Sequence, residues 1–159
     1  METSVSIREG RAEDVDMLEE ISRQSFAKSW SRDGFLEELL SQNRTVWVAT
    51  REALVVGYLI ARPVLDVLEV LSLAVDPLER RCGTGSKLIK KGIESEGEWS
   101  VVQLEVREDN PDALMFYRSM GFEKVGRRHR YYSSRTDALL LSLVLRSGVL
   151  DGSDSDEYA

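Results

Sequence analysis

Apolar positions along this chain recur first at every second residue, then at every third or fourth, and the rhythm changes repeatedly. Each change marks an element. Val5-Ser6-Ile7-Arg8 alternates and predicts a first strand. Over residues 12–24, Val15, Leu18 and Ile21 recur at helical spacing and lead to Ser25-Phe26, so a helix follows. A second helix is expected over residues 32–41, capped by Ser31, with Phe35, Leu36, Leu39 and Leu40 as its buried stripe. Residues 45–50 and 55–63 read as strands joined through Arg51-Glu52-Ala53, a link short enough for a hairpin. A fourth strand covers residues 66–75, and Pro77 stops it.

The second half continues in the same way. Gly83-Thr84-Gly85 opens a third helix reaching residue 96, with Leu88, Ile89, Gly92 and Ile93 on one face and Lys87, Lys90 and Lys91 off it. Residues 100–107 alternate cleanly: Val102, Leu104 and Val106 face one way, and Gln103, Glu105 and Arg107 the other. Asn110-Pro111-Asp112 is a helix start, an Asn cap followed by Pro at the first helical position. Ala113, Phe116, Tyr117 and Met120 line one face of that helix, and Gly121 ends it. Strands over residues 122–132 and 138–145 complete the pattern, and the acidic residues 149–159 read as a disordered tail. The whole predicts an α/β (α+β) domain over residues 1–148.

Composition narrows the function. A chain of 159 residues with 42% apolar and 31% charged residues fits one domain with its own core. A net charge of −7 argues against a nucleic-acid partner held on a broad basic surface. One cysteine, Cys82, allows no internal disulfide, and with one histidine, His129, no multi-His or multi-Cys metal site is expected. A cytoplasmic setting follows from that cysteine usage. No apolar run suggests a leader peptide or a membrane span, so no membrane partner is expected.

The segment Arg80-Arg81-Cys82-Gly83-Thr84-Gly85-Ser86 carries the first chemical signal. Glycines between a strand and a helix let main-chain N–H groups converge on an anion at the helix N-terminus. A tight turn alone would also explain them. A P-loop is excluded because Ser86 separates Gly85 from Lys87, and a dinucleotide fingerprint because Leu88 stands where a third glycine is needed.

The order of motifs decides between these readings. Leu73-Ala74-Val75-Asp76-Pro77, Arg80-x-x-Gly83-x-Gly85, Leu104-Glu105-Val106-Arg107, Asn110 to Tyr117 and Gly121-Phe122 follow one another in a series. That series resembles the GNAT superfamily of acetyl-CoA-dependent N-acetyltransferases. Phe26 to Trp30-Ser31, the Leu-Glu-Val-Arg strand and Tyr131-Tyr132 resemble its RimI branch, the ribosomal-protein-alanine N-acetyltransferases. The resemblance implies a mixed sheet of about seven strands, splayed between strands 4 and 5 and flanked by about four helices. It implies acetyl-CoA as co-substrate, its pantetheine arm along Leu73 and Val75, its pyrophosphate on Arg80, Arg81, Cys82, Gly83, Thr84, Gly85 and Ser86, and Asn110 against the cofactor arm. It also implies a protein N-terminus as acceptor, that of ribosomal protein S18. Two departures lie in the acceptor region: Ser29 precedes Trp30 where family members commonly carry proline, and Arg130 precedes the tyrosine pair.

Acetyl transfer to an amine needs a base for the amine, a donor for the oxyanion and an acid for the departing thiolate. Glu105, on the polar row of its strand, is the expected base, either directly or through a water; its structural alternative is an ion pair with Arg107 or a lysine. Tyr117 is the expected acid, since a phenol of pKa about 10 can protonate or hydrogen-bond a thiolate; its alternative is a core aromatic beside Phe116. By resemblance, the Val75 N–H is the donor to the acetyl carbonyl, and Trp30, Tyr131 and Tyr132 join Glu105 around the acceptor. Cys82 has no histidine nearby in sequence and is not expected to act as a nucleophile. Two other acceptor classes stay open, a small amine or a lysine side chain, as does a CoA-sensing or partner-binding module without catalysis.

Overall fold

The computed structural model describes residues 4–42, 45–95, 97–129 and 136–145. Arg130, Tyr131, Tyr132 and the acidic tail lie outside the described residues. The strands are β1 (Ser6–Glu9), β2 (Thr45–Arg51), β3 (Leu54–Val64), β4 (Val67–Val75), β5 (Val101–Arg107), β6 (Glu123–Arg128) and β7 (Ala138–Val144). The helices are α1 (Val15–Ser25), α2 (Arg32–Leu40), α3 (Thr84–Glu94) and α4 (Pro111–Ser119). One mixed sheet results, in the order β1-β2-β3-β4-β5-β7-β6. The parallel register between β4 and β5 covers Val67↔Val101, Leu68↔Val102 and Glu69↔Gln103. β4 then continues to Val75 and β5 to Arg107, beyond the three paired positions.

The chain divides into two compact units, Met1–Pro63 with Val70–Ser95, and Val64–Glu69 with Glu96–Ala159. In the first, Val15, Leu18 and Ile21 of α1 and Phe35 of α2 pack with Val46, Val48, Tyr58 and Ile60 of β2 and β3, as the helical spacing predicts. On the other row of β2, Trp47 lies under the Lys91 ammonium of α3, 5.2 Å from its ring centre. Gly57 admits Leu88 and the end of β4: a Cβ there would sit 3.2 Å from the Ala74 carbonyl oxygen and 3.4 Å from Leu88 Cδ1. The β2–β3 hairpin turns on Glu52 and Ala53, both at positive φ.

Three expectations need correcting. The segment beginning at Ala12 is first a 3-10 turn, Ala12–Asp14, and the α-helix starts only at Val15, because the Asp14 side chain turns back to accept from Arg11 N at 2.8 Å. In α2, Leu40 is 69% exposed and Glu38 takes the buried place beside Phe35. The cap is as expected, with Ser31 Oγ accepting from Gly34 N at 3.0 Å. α3 ends at Glu94, two residues early, where the Ser95 hydroxyl donates to the Gly92 carbonyl.

In the second unit β5 pairs β7 antiparallel, and β7 pairs β6. Residues directly opposite one another share a face. Val102↔Leu143, Leu104↔Leu141 and Val106↔Leu139 therefore make an apolar layer, and Glu105↔Leu140 and Arg107↔Ala138 lie on the reverse. Ser100 N donates to the Asp66 carbonyl at 2.7 Å and Leu145 N to the Ser100 carbonyl at 2.8 Å, which fixes the start of β5.

A part-buried ion pair makes stability depend on acid. Arg8 donates to both Asp14 oxygens at 2.9 and 2.8 Å. Burial pushes the Asp14 carboxyl up, but the Arg8 and Arg11 hydrogen bonds and charges outweigh it, and the group titrates below its usual value. A carboxyl lowered by folding contributes stability above its unfolded value and loses that contribution as pH falls through its folded value. Asp14→Asn should therefore lower the melting temperature at pH 7, and the gap to wild type should close as pH falls below about 4. Melts at pH 7 and pH 3 check this; a gap of equal size at both contradicts it.

Candidate active site

In the first unit, β4 delivers Leu73 and Val75, both half-buried, to the edge of the glycine loop. Asp76 Oδ1 accepts from Leu78 N at 2.9 Å and starts a 3-10 turn, Pro77–Glu79, which ends the strand as Pro77 predicts. Arg80 follows, exposed, with its side chain laid back along the loop. Its Nε donates to the Val75 carbonyl at 3.1 Å and its Nη2 to Ser25 Oγ at 3.1 Å. The guanidinium thus ties the loop to the ends of β4 and α1. Arg81 follows at φ +66 and Gly83 at φ +81, so the backbone passes twice through the left-handed region before α3 begins.

This loop fits a diphosphate on three observations. The first amides of α3 lack intrahelical partners, since the ladder starts only with Lys87 N donating to the Gly83 carbonyl at 3.0 Å. A Cβ on Gly83 would meet nothing within 4 Å, so the backbone is freely approachable at that point. Thr84 Oγ1 is fully buried and has no hydrogen-bond partner among the described residues, a cost that a bound acceptor would relieve. Cys82 is exposed, and its thiol donates only weakly to the Arg80 carbonyl, at 3.7 Å. Among the described residues no group of three or more His, Cys, Asp or Glu side chains is placed to hold a metal ion.

The α1–α2 connection carries Trp30. Its ring stacks at a tilt on Phe35, 5.4 Å between centroids, and Phe35 meets Tyr58 edge-on at 5.7 Å. Ser29 Oγ donates to buried Ser22 Oγ at 2.8 Å, and Tyr58 Oη lies 2.9 Å from Ser72 Oγ. The serine before Trp30 thus has a bonding role in this chain that proline could not fill. Burial pushes the Tyr58 phenol up despite its Ser72 and Ser22 hydrogen bonds, so it remains a neutral bridge between α1, β3 and β4.

The second unit holds Glu105, Asn110 and Tyr117. Glu105 is on the polar row of β5 with 26% of its side chain exposed, and its Oε1 accepts from Arg128 Nη2 at 2.7 Å. The sequence suggested Arg107 or a lysine as the structural partner. Arg107 instead grips Asp109 with two bonds of 2.9 and 2.8 Å and reaches Thr136 Oγ1 at 3.3 Å. Asn110 Oδ1 accepts from Ala113 N at 3.1 Å, so its side chain caps α4 as the Asn-Pro pair predicts. The Tyr117 ring is buried, with edge contacts to Phe116 at 5.1 Å and Phe122 at 5.4 Å. His129 is exposed in the turn just after β6, its Nδ1 3.2 Å from Asp137 Oδ2. Arg128 is the partner of Glu105 that sequence reasoning passed over. The signal for it was a basic pair, Arg127-Arg128, in a strand that β7 separates from the acidic Glu105, Glu108 and Asp109.

The comparisons with known proteins follow this geometry. Residues 15–122 match the Acetyltransferase (GNAT) family, and the chain belongs to that family. It is therefore an acyltransferase that draws on acetyl-CoA, and within the family it is RimI-like. It is 34% identical over 125 residues to the N-alpha-acetyltransferase RimI of Mycobacterium tuberculosis, covering 75% of this chain and 78% of that one. It is 30% identical over 145 residues to a Bacillus subtilis protein provisionally named a ribosomal protein bS18-alanine N-acetyltransferase, covering 89% and 96%. The crystal structure of the ribosomal-protein-S18-alanine N-acetyltransferase from Escherichia coli superimposes with a TM-score of 0.80 at 26% identity, covering 93% and 99%.

Gly83→Val tests the loop. A β-branched residue at φ +81 is strained, and its side chain would obstruct the open approach to the backbone there. Acetyl-CoA affinity measured by calorimetry should fall about tenfold or more, as a lost backbone-anion contact and an added obstruction imply. Affinity equal to wild type removes the loop as the phosphate site.

Proposed function

We propose that this chain acetylates the α-amine of a protein N-terminus, with an alanine-first N-terminus of the ribosomal protein S18 kind as acceptor. Glu105 is the general base and Tyr117 the general acid. The observation that carries this reading is the state of Glu105: a half-exposed carboxylate on the polar row of the Leu-Glu-Val-Arg strand, with only Oε1 engaged among the described residues. The names of the Mycobacterium tuberculosis and Bacillus subtilis relatives support the acceptor class.

Each group has a defined task. An α-amine has a pKa of about 7.7–8.0, so most of it is protonated at pH 7 and attack requires loss of that proton. Glu105 Oε2 takes it, directly or through one water. The amine nitrogen forms its bond to the thioester carbon, the carbonyl oxygen becomes an oxyanion facing the Val75 N–H, and the C–S bond then breaks. Tyr117 gives the leaving sulfur a proton, and the attacking nitrogen sheds its second proton as the amide forms, which returns the tyrosine to its neutral state; the proton held by Glu105 passes to solvent. Leu73, Val75 and the segment from Arg80 to Ser86 hold acetyl-CoA, Asn110 stands against its arm, and Trp30, Tyr131 and Tyr132 border the acceptor.

Incubation with acetyl-CoA and an alanine-first peptide should add one acetyl group to the α-amine by mass spectrometry; acetylation confined to lysine side chains or to spermidine would overturn the acceptor. Glu105→Gln should lower kcat roughly 100-fold or more, a usual scale for a lost acid–base group, with acetyl-CoA affinity unchanged. Equal turnover in this variant removes Glu105 from the mechanism.

A further inference from the structure

We propose that Arg128 is a positioning residue for Glu105, fixing the carboxylate so that Oε2 is the oxygen turned to the acceptor; this rests on the reading of Glu105 as the base. The sheet register explains how the two meet. Across β7, the position directly opposite Glu105 is Leu140, and beyond that Gly126. Glycine offers no partner there, and Leu140 leans into the space, since a Cβ on Gly126 would lie 3.0 Å from Leu140 Cδ1. The next row on the same face is Arg107↔Ala138↔Arg128. Both arginines of that row flank Ala138, whose small side chain leaves their stems free to cross it.

Arg107 is turned instead to Asp109 and Thr136. Arg128 therefore reaches diagonally across β7, roughly two strand spacings or 10 Å, to place Nη2 on Glu105 Oε1 at 2.7 Å. The contact is short and charge-assisted, and it engages a single oxygen. A glutamate has three side-chain torsions, and a base that samples several rotamers spends little time in the reactive one. Anchoring Oε1 removes that freedom and leaves Oε2 available. With side-chain exposures of 53% for Arg128 and 26% for Glu105, the pair is half open to water, so its grip should weaken with ionic strength.

The test compares Arg128→Gln, Arg128→Lys, Glu105→Gln and the Glu105→Gln/Arg128→Gln double variant in the full chain. Thiol release from acetyl-CoA is followed with an alanine-first peptide, a lysine peptide and spermidine, and compared on whichever acceptor turns over fastest. Arg128→Gln should lower kcat about tenfold, the scale of a misplaced reacting group, with KM for acetyl-CoA within about twofold of wild type. Lysine should restore most of the loss, because a single-oxygen contact needs a charge and not a planar fork. The double variant should be no slower than Glu105→Gln alone. The wild-type advantage over Arg128→Gln should shrink between 0.05 and 0.5 M salt, as about a threefold shorter screening length implies. Wild-type kcat in Arg128→Gln beside a slow Glu105→Gln overturns the positioning role and leaves the base standing. Losses that multiply in the double variant also overturn it. Wild-type kcat in Glu105→Gln overturns the base reading and the positioning role together. Should Arg128→Gln melt below the assay temperature, Arg128→Met carries the same comparison.

Discussion

A strand in a sheet covered on one face can bury only every second side chain, and much of the chemistry here hangs on that rule. In β5 the buried places go to Val102, Leu104 and Val106, matched one for one by Leu143, Leu141 and Leu139 of β7. Glu105 is polar-facing because its two neighbours are held in the apolar layer. A slip of one residue would turn the carboxylate into the core and expose three aliphatic side chains. The register that stabilises the second unit is thus the same register that presents its candidate base.

The element order, the two Asx and Ser caps and the apolar row of β5 were legible in the chain, because each depends on residues close in sequence. Ser31, Asn110 and Pro77 act within three residues of where they stand. Leu40 and Glu38 were misjudged because which side of a short helix is covered depends on what lies against it, and periodicity does not report that. The delayed start of α1 has a similar cause: the Asp14 carboxylate is directed by Arg8, a residue of the preceding strand.

At the site, the glycine loop could be read from local spacing, but its side-chain bonding could not. Arg80 looks in sequence like a phosphate ligand, yet its guanidinium is held by Val75 and by Ser25, fifty-five positions earlier. The pairing of Glu105 with Arg128 spans twenty-three positions and needs the β5-β7-β6 order to bring it about. That order inverts the last two strands, so neighbours in space are not neighbours in sequence. Both faces of this three-stranded part carry their own ionic set: Arg127 serves Glu108 and Asp137 on one, and Arg128 serves Glu105 on the other.

The Arg80 side chain ties the loop before α3 to Val75 and Ser25, and in the proposed reading main-chain amides of that loop receive the diphosphate. Recognition through peptide groups is largely indifferent to which side chains hang outward. Arg81 and Cys82, both exposed, can drift under selection at little expense to an anion seated there, whereas the torsion at Gly83 is hard to replace. A surface used in that way would separate heritable variation from ligand affinity: the outer rim of the loop could diverge toward new partners while a main-chain grip on an anion persists.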